Sequence, residues 1–453
     1  MFFSIDWMLD NIFVTIKYTM LKKKLTPYLP FILILLTGIA IRIIYLSYTD
    51  YQTRTHDVVG GHLAYIEFIA KEHKLPPSTS CWECWQPPFY YVIASYVYNF
   101  ALFFHANPYI FLQLFSLLLF TLFLCYGYLF IKSFLPSKNT QYVAILLLTF
   151  WPAGIMASIR IGNDIPYYLF FGAALYYLLQ WTLTKKYLFL LLSALMCFFC
   201  MITKSTALIP YSIFVSTLFI ELITDSKNRK NLLKQSVSIT LILIVGFIVG
   251  FSNVIFHKMK MIASIDSLNS GLIVGKNVLN FVYFDIKTYV TKPFLSVWID
   301  QGELTGGRQY FWNFLLKSSL FGEFAYTNTF QITLSYVISI FLLPIVYSLF
   351  FVIRLLKRPF LSSRFLIFFS LIFPLAALIS YRFKYPHSPN GDFRFILPIL
   401  FPVCTFIGII LQYFEGKKMI LLYYVVFFII MTFIASTILL YIIPLFPNVF
   451  FQS

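Results

Sequence analysis

Two acidic residues lie beside long apolar runs of the chain, where a charge is costly to keep. Asp57 belongs to the segment His-Asp-Val-Val-Gly-Gly-His at 56–62, and Asp164 belongs to Arg-Ile-Gly-Asn-Asp at 160–164. An ionisable group near lipid usually marks a functional site. The two carboxylates therefore predict a polar site at one boundary of a membrane. Polar residues continue from Asp57 to the segment Trp-Gln-Pro-Pro-Phe-Tyr-Tyr at 85–91, which is typical of an active-site loop.

Asp57 has the chemistry of a general base. Its carboxylate can accept a proton from an incoming hydroxyl or amine, although an Asp at this position could also cap a helix or close a turn. His56 and His62 lie close to it in sequence and are predicted to contact the substrate or to support the loop. A metal held by these histidines and Glu83 is the less favoured alternative.

Asp164 has two compatible interpretations. With a proline two residues later, it is a normal start for a helix. Arg160 in the same short segment also places an anion-binding cation beside an acid. We therefore predict that Asp164 is a second catalytic acid and that Arg160 and Asn163 contact the substrate.

Lys204 and Arg394 are candidate phosphate contacts. Lys204 interrupts two apolar runs within Thr-Lys-Ser-Thr at 203–206, and Arg394 follows an aspartate in Asp-Phe-Arg-Phe at 392–395. A lysine there can bind phosphate as a point charge, or it can extend towards the lipid headgroups. Because Lys204 stands at a predicted helix end, we expect that its removal leaves no buried partner unpaired.

The composition is that of an integral membrane protein. The chain has 453 residues, of which 60% are hydrophobic and 11% are charged, whereas a soluble domain has about 25% charged residues. The net charge of +17 comes from basic residues scattered through short loops. This scatter argues against a nucleic-acid partner, which would require a basic face.

The apolar pattern predicts an all-α polytopic fold with about eleven transmembrane helices. A span needs roughly 20 apolar residues. The predicted spans are 28–48, 108–131, 141–158, 165–183, 187–203, 206–223, 235–256, 330–353, 365–381, 396–414 and 419–443. The aromatic stretch 87–105 is predicted to lie in the outer interface.

The spans define one membrane domain at 28–443, between a cytoplasmic or interfacial segment at 1–27 and an outer tail at 444–453. The predicted outer loops are 49–106, 159–164, 257–329 and 382–395. No small-residue cleavage site follows the first run, so we expect a retained helix. The basic inner loops then orient the site outwards, on the periplasmic side of a bacterial inner membrane.

The six cysteines fall into two groups. Cys81 and Cys84 stand in the polar loop and predict either a disulfide or half of a metal site, whereas the other four lie in apolar runs as small buried residues. No phosphate-cradling Gly-Lys-Ser/Thr loop and no Gly-x-Gly-x-x-Gly pattern occurs. An activated substrate is therefore expected to arrive through the membrane.

The order of these motifs resembles that of membrane glycosyltransferases of the GT-C fold. The resemblance rests on Asp57, the paired prolines before an aromatic helix, the segment 160–164, Lys204 and the segment 392–398. The protein O-mannosyltransferases and the lipid A aminoarabinose transferases are the most similar groups. The resemblance covers about 28–400 of the chain.

This resemblance implies a sugar donor on a polyprenyl phosphate and an acceptor that is a lipid, a glycan or a protein. Asp57 would be the acid of the first outer loop, Asp164 the second acid, and Lys204 a lysine near the catalytic centre. A single displacement with Asp57 as the base would invert the anomeric centre. Two other functions stay open: a transporter or lipid flippase, and a glycan polymerase or ligase with a lipid-linked donor.

One departure from the family concerns the residues before the paired prolines. The aminoarabinose transferases carry Glu-Lys there, whereas this chain has Trp85-Gln86. This removes a zinc-contacting glutamate and a lysine for the carrier phosphate. We therefore expect no metal and no other cofactor, a substrate contact from Gln86, and a phosphate held by other cations. The candidates are Arg54, Arg160, Lys204 and Arg394.

Overall fold

The computed structural model describes residues 28–52, 58–225, 229–252, 277–291, 309–322, 326, 328–355 and 362–445. Within these ranges the chain is helical and forms no strand. The helices of the first half are α1 (Leu29–Ser47), a π-helix (Val58–Leu63), α2 (Ala64–Glu72), α3 (Phe89–Phe103), α4 (Pro108–Phe134), α5 (Lys138–Thr149), α6 (Pro152–Ala157), α7 (Asp164–Thr184), α8 (Tyr187–Thr203), a 3-10 turn (Ser205–Ala207) and α9 (Leu208–Thr224). Those of the second half are α10 (Arg229–Gly250), α11 (Leu279–Val282), α12 (Ile286–Thr291), α13 (Phe311–Phe321), α14 (Thr329–Leu355), α15 (Ser362–Lys384), 3-10 turns at Ser388–Gly391 and Phe393–Ile399, α16 (Leu400–Gly416), α17 (Ile420–Ile442) and a last 3-10 turn (Ile443–Leu445).

Eight segments of the described chain are long and apolar enough to cross a membrane. They are Leu29–Ser47, Pro108–Phe134, Ser205–Thr224, Leu232–Gly250, Thr329–Phe350, Ser363–Lys384, Pro389–Gly416 and Ile420–Leu445. Of the three other predicted spans, 165–183 is a complete but more polar helix, 187–203 is a helix of 17 residues, and 141–158 is divided in two. The prediction of an all-α polytopic membrane protein is confirmed.

A buried arginine stabilises the point where the stretch 141–158 is divided. α5 ends at Thr149, and α6 begins with Pro152 at its first position, where a missing N–H costs nothing. Arg42 of α1 donates to the carbonyl oxygens of Thr149 and Gly38, both at 2.9 Å. Its guanidinium also lies over the Phe120 ring, 5.0 Å from the centroid. A cation at the carboxyl end of α5 is favourable because that end carries partial negative charge.

The antiparallel pair α7 and α8 positions the candidate site. A short connection at 185–186 joins the two helices, so the start of α7 and the end of α8 lie at the same end of the pair. At the opposite end, Lys185 forms an ion pair with the buried Glu221 of α9. The Phe401 ring of α16 stacks on Phe123 at 4.7 Å and occupies the space that a side chain at Gly172 of α7 would need.

The segment 58–103, here called the first-loop unit, has its own small apolar core. Val58, Tyr65, Ile66 and Tyr91 are buried together, and Ile161 from the segment before α7 packs into the same cluster. α3 corresponds to the predicted interfacial helix at 87–105, and its far end exposes large aromatic side chains. Through Ile161, the first-loop unit is packed against the start of α7.

Candidate active site

Asp164 and Lys204 form a buried ion pair. Asp164 is the first residue of α7, and Lys204 follows α8 in an extended conformation before the next helical turn. Their side chains contact each other directly, and the two residues are 4% and 6% exposed. The expectation that Lys204 could be removed without leaving a buried partner unpaired is therefore wrong. The sequence did not reveal it because the two residues are forty positions apart.

Two hydrogen bonds connect the start of α7, which carries Asp164, to the turn at 203–206, which carries Lys204. Asn163 Nδ2 donates to the carbonyl oxygen of Thr203 at 3.1 Å. Tyr167 donates from its hydroxyl to the carbonyl oxygen of Thr206 at 3.3 Å. Asn163, which was predicted to contact the substrate, thus connects the start of α7 to the turn at 203–206.

The segment 392–395 brings a second carboxylate and a second cation to the same place. Asp392 is buried and accepts a hydrogen bond from the backbone N–H of Arg394 at 2.8 Å. Arg394 Nε lies 4.0 Å from the Asp392 carboxylate, and Tyr168 of α7 donates to the Arg394 carbonyl oxygen at 2.5 Å. Two cations lie near the Phe395 ring centroid, Lys204 Nζ at 5.5 Å and Arg394 Cζ at 5.0 Å.

The charges of three cations act on the Asp164 carboxylate. Lys204 is in direct contact, and Arg394 and Arg160 lie close enough for their charges to act on it. The structure therefore brings together Asp164, Lys204, Arg160 and Arg394, which the sequence placed on three separate segments. Such a group of cations can bind an anionic ligand such as a phosphate.

The first-loop unit contacts the segment that precedes Asp164. His62 on the π-helix is buried, and its Nδ1 lies 2.9 Å from the Tyr91 hydroxyl. The backbone N–H of Gly162 donates to Tyr90 Oη at 3.1 Å, and a side chain at Gly162 would lie about 3.1 Å from the His62 ring. Burial, with the nearby carboxylates, raises the pKa of Tyr91 well above its ordinary value, so that hydroxyl stays protonated.

The other predicted site residues have different outcomes. Gln86 is buried at the end of the disulfide loop, and among the described residues its side-chain oxygen has no hydrogen-bond partner. Asp57, His56 and Arg54 lie outside the described residues, so their roles stay predictions. No three His, Cys, Asp or Glu side chains of the described ranges gather as a metal ligand set would.

The structure adds groups that the motifs did not single out as site residues. Asp392 was noted only beside its arginine, and Glu83 only as a possible metal ligand. Cys81 and Cys84 are joined in a disulfide, which settles the two alternatives given for them. The sequence signal for Glu83 is its position between these two cysteines.

No protein-family model matches the sequence, and a comparison with curated proteins gives no match. Among solved structures, the chain is similar to the archaeal oligosaccharyltransferase AglB from Archaeoglobus fulgidus, in complex with an inhibitory peptide and a dolichol-phosphate, with a TM-score of 0.50 and 14% sequence identity. The similarity covers 93% of this chain and 56% of that protein, so the chain spans little more than half of its length. The chain therefore has a fold similar to that of this oligosaccharyltransferase.

Proposed function

We propose that the protein transfers a sugar from a polyprenyl-phosphate donor to an acceptor at the outer surface of the membrane. The observation that carries this proposal is the convergence of buried charges from three segments at one end of a membrane helix bundle. Asp164, Lys204 and the segment 392–395 supply them. A flippase would instead place its charges near the midplane, on repeated halves, and no repeat is visible in the sequence.

The two arginines are the best partners for the carrier phosphate. Because Lys204 is in direct contact with Asp164, we assign it to holding that carboxylate in place. Arg160 and Arg394 lie beside the same pair, and a planar guanidinium can bind two phosphate oxygens at once. A polyprenyl phosphate held by cations can leave as an anion without being protonated.

Asp57 remains our proposed general base. Asp164 is engaged by a lysine and is a poor proton acceptor in that state, so it serves the site through its charge and position. Val58, which follows Asp57 in the chain, is buried in the first-loop unit, and this unit packs on the segment 160–164. A base there would remove the acceptor proton while the sugar is displaced with inversion.

The acceptor class is a lipid, a glycan or a protein. Because AglB was solved with an inhibitory peptide, peptides with hydroxyl or amine groups are the first set to test. A glycan polymerase or ligase would use the same donor and would differ only in this acceptor. We place the site on the periplasmic side of a bacterial inner membrane, which agrees with the basic connection at 185–186 at the opposite end of α7.

The test is transfer by purified protein in liposomes that contain labelled polyprenyl-phosphate sugars. We expect the wild type to release free polyprenyl phosphate and to label an acceptor. Arg394→Ala and Arg160→Ala should each raise the donor concentration needed for half-maximal rate by roughly 10–100-fold, as expected for a charge-assisted contact. If the release of polyprenyl phosphate depends on neither arginine, Arg160 and Arg394 do not bind the carrier phosphate.

A further inference from the structure

Tyr168 forms a hydrogen bond with the backbone of Arg394, one of the two proposed phosphate ligands. It lies on α7, one turn after Asp164, and is 1% exposed. Its hydroxyl donates to the carbonyl oxygen of Arg394 at 2.5 Å. Residues four positions apart lie on the same face of an α-helix. One face of α7 therefore carries both the paired acid and the contact with the segment 392–395.

The carbonyl oxygen of Arg394 lacks the donor that an α-helix would give it. In an α-helix this oxygen would accept from the backbone N–H of residue 398, which is a proline and has none. The segment Phe393–Ile399 is a 3-10 turn instead, and within it Ile396 departs from helical geometry with φ −125° and ψ 17°. Tyr168 thus supplies a donor from a different helix at this point.

Hydrogen bonds fix the backbone on both sides of the Arg394 side chain. Its N–H donates to Asp392 Oδ1 at 2.8 Å, and its carbonyl oxygen accepts from Tyr168. One residue earlier, the Phe393 N–H donates to Ser318 Oγ of α13 at 3.0 Å. Because a residue has only two soft backbone dihedrals, these bonds restrict the direction in which the Arg394 side chain leaves the backbone.

That direction places the guanidinium near the buried ion pair. Arg394 Cζ lies 5.0 Å from the Phe395 ring centroid, and Lys204 Nζ lies 5.5 Å from the same centroid. Lys204 in turn contacts Asp164 directly. A planar guanidinium binds two phosphate oxygens at once only in a suitable orientation. The backbone that sets this orientation therefore bears on phosphate binding.

We propose that Tyr168 is a positioning residue, whose hydroxyl fixes the backbone from which Arg394 reaches the carrier phosphate. This inference rests on the proposed function, because it takes Arg394 as a phosphate ligand. Tyr168 acts on the carrier only through Arg394. Loss of the hydroxyl therefore weakens the part of carrier binding that Arg394 supplies and leaves the part that Arg160 supplies unchanged.

The experiment measures binding of a sugar-free polyprenyl phosphate to the full-length protein in detergent. Tyr168→Phe removes one oxygen atom and keeps the aromatic ring. We expect it to weaken carrier binding by roughly 3–10-fold, the change in affinity that one hydrogen bond corresponds to. In an Arg394→Ala background the same substitution should have no further effect, whereas in an Arg160→Ala background it should have its full effect.

Tyr289→Phe is the matched control for the loss of a buried hydroxyl. Tyr289 of α12 is 2% exposed, and it donates to the carbonyl oxygen of Ser339 at 3.2 Å. This variant loses the same kind of hydrogen bond outside the segments of the candidate site. We expect it to lower the melting temperature as Tyr168→Phe does, and to bind the carrier like the wild type. The comparison separates a general loss of stability from a loss of position at Arg394.

The outcomes also separate this inference from the proposed function. Carrier binding by Tyr168→Phe that equals that of the wild type would overturn the role of Tyr168. An equal loss in the Arg394→Ala background would overturn it too, since Tyr168 would then act by another route. In both cases the phosphate assignment stands as long as Arg394→Ala alone weakens binding. If Arg394→Ala and Arg160→Ala both bind the carrier like the wild type, the phosphate assignment fails and the role of Tyr168 fails with it.

Discussion

At the scale of single residues, the pairing of Asp164 with Lys204 changes what each can do. Both side chains are nearly inaccessible to solvent. The pair joins the first residue of α7 to the residue that follows α8. The sequence predicted both residues as site members from their positions at the ends of apolar runs. It could not predict their contact, because this depends on how α7 packs against α8. The contact makes the lysine a partner of the acid.

Removing one member of this pair should destabilise the protein more than removing both. Asp164→Asn or Lys204→Met alone leaves a buried charge without its partner, a loss of about 3–5 kcal/mol. The double variant removes both charges of the pair and should regain much of the loss. Thermal unfolding in detergent measures this, with the exposed pair Glu72 and Lys74 as the control. Losses that simply add would contradict a direct interaction.

His387 should make the outer end of α15 sensitive to acid. It is 3% exposed, and burial together with the charge of Arg382 lowers the pKa of His387. In the unfolded chain a histidine takes up a proton below about pH 6.5, whereas the folded protein resists protonation there. The free energy of unfolding should therefore fall as the pH falls below this value.

The measurement compares melting temperatures at pH 7.5 and 5.5. His387→Gln should lose less stability on acidification than the wild type, since the group that resists protonation is gone. His105→Gln, a change at an exposed histidine, should follow the wild type. Equal losses in all three proteins would contradict the effect of burial on His387.

At the scale of elements, hydrophobic runs predicted where helices occur but not where one of them breaks. The stretch 141–158 is mostly apolar, yet one helix ends at Thr149 and the next begins at Pro152. The proline was visible in the sequence. The decisive partner is Arg42, a residue of α1 that lies 107 positions before Thr149 in the sequence. Long-range capping of this kind leaves no periodic signal.

Replacing Arg42 by methionine should weaken the bundle at this break. The variant keeps a long apolar side chain but leaves the Thr149 carbonyl oxygen without its donor, which costs about 1–3 kcal/mol. Thermal unfolding should show that loss, and transfer activity should fall with it because α6 leads into the segment 160–164. Lys132→Met, at an exposed helix end, is the control. Unchanged stability of Arg42→Met would show that the cap is dispensable.

At the scale of the whole molecule, the order of short motifs along the chain indicated the fold better than any one motif did. Segments that are distant in sequence, 160–164, 203–206 and 392–395, meet at one end of the bundle. The alternation of basic loops had predicted that they share one side. The contact of the first-loop unit with the segment 160–164, through Tyr90 and His62, depends on packing and was not predictable from spacing.

The sidedness can be checked by cysteine labelling from outside intact cells. We expect an impermeant maleimide to reach cysteines placed at Gly60 and Asn390, and not one placed at Lys186. The background would carry Cys125→Ala, since the other free thiols of the described chain are buried. Labelling at Lys186 with protection at Gly60 would reverse the orientation and place the site on the inner surface.

The most direct test of the central claim is turnover of a polyprenyl-phosphate sugar by the wild type and by Asp57→Asn. The variant keeps the shape of the side chain and removes the charge, so the fold should persist while the base is lost. The account predicts donor-dependent transfer by the wild type and a rate lower by roughly 10²–10⁴-fold in the variant. Equal rates in the two proteins, with both correctly folded, would contradict the assignment of Asp57. An absence of transfer from every polyprenyl-phosphate sugar would contradict the proposed function itself.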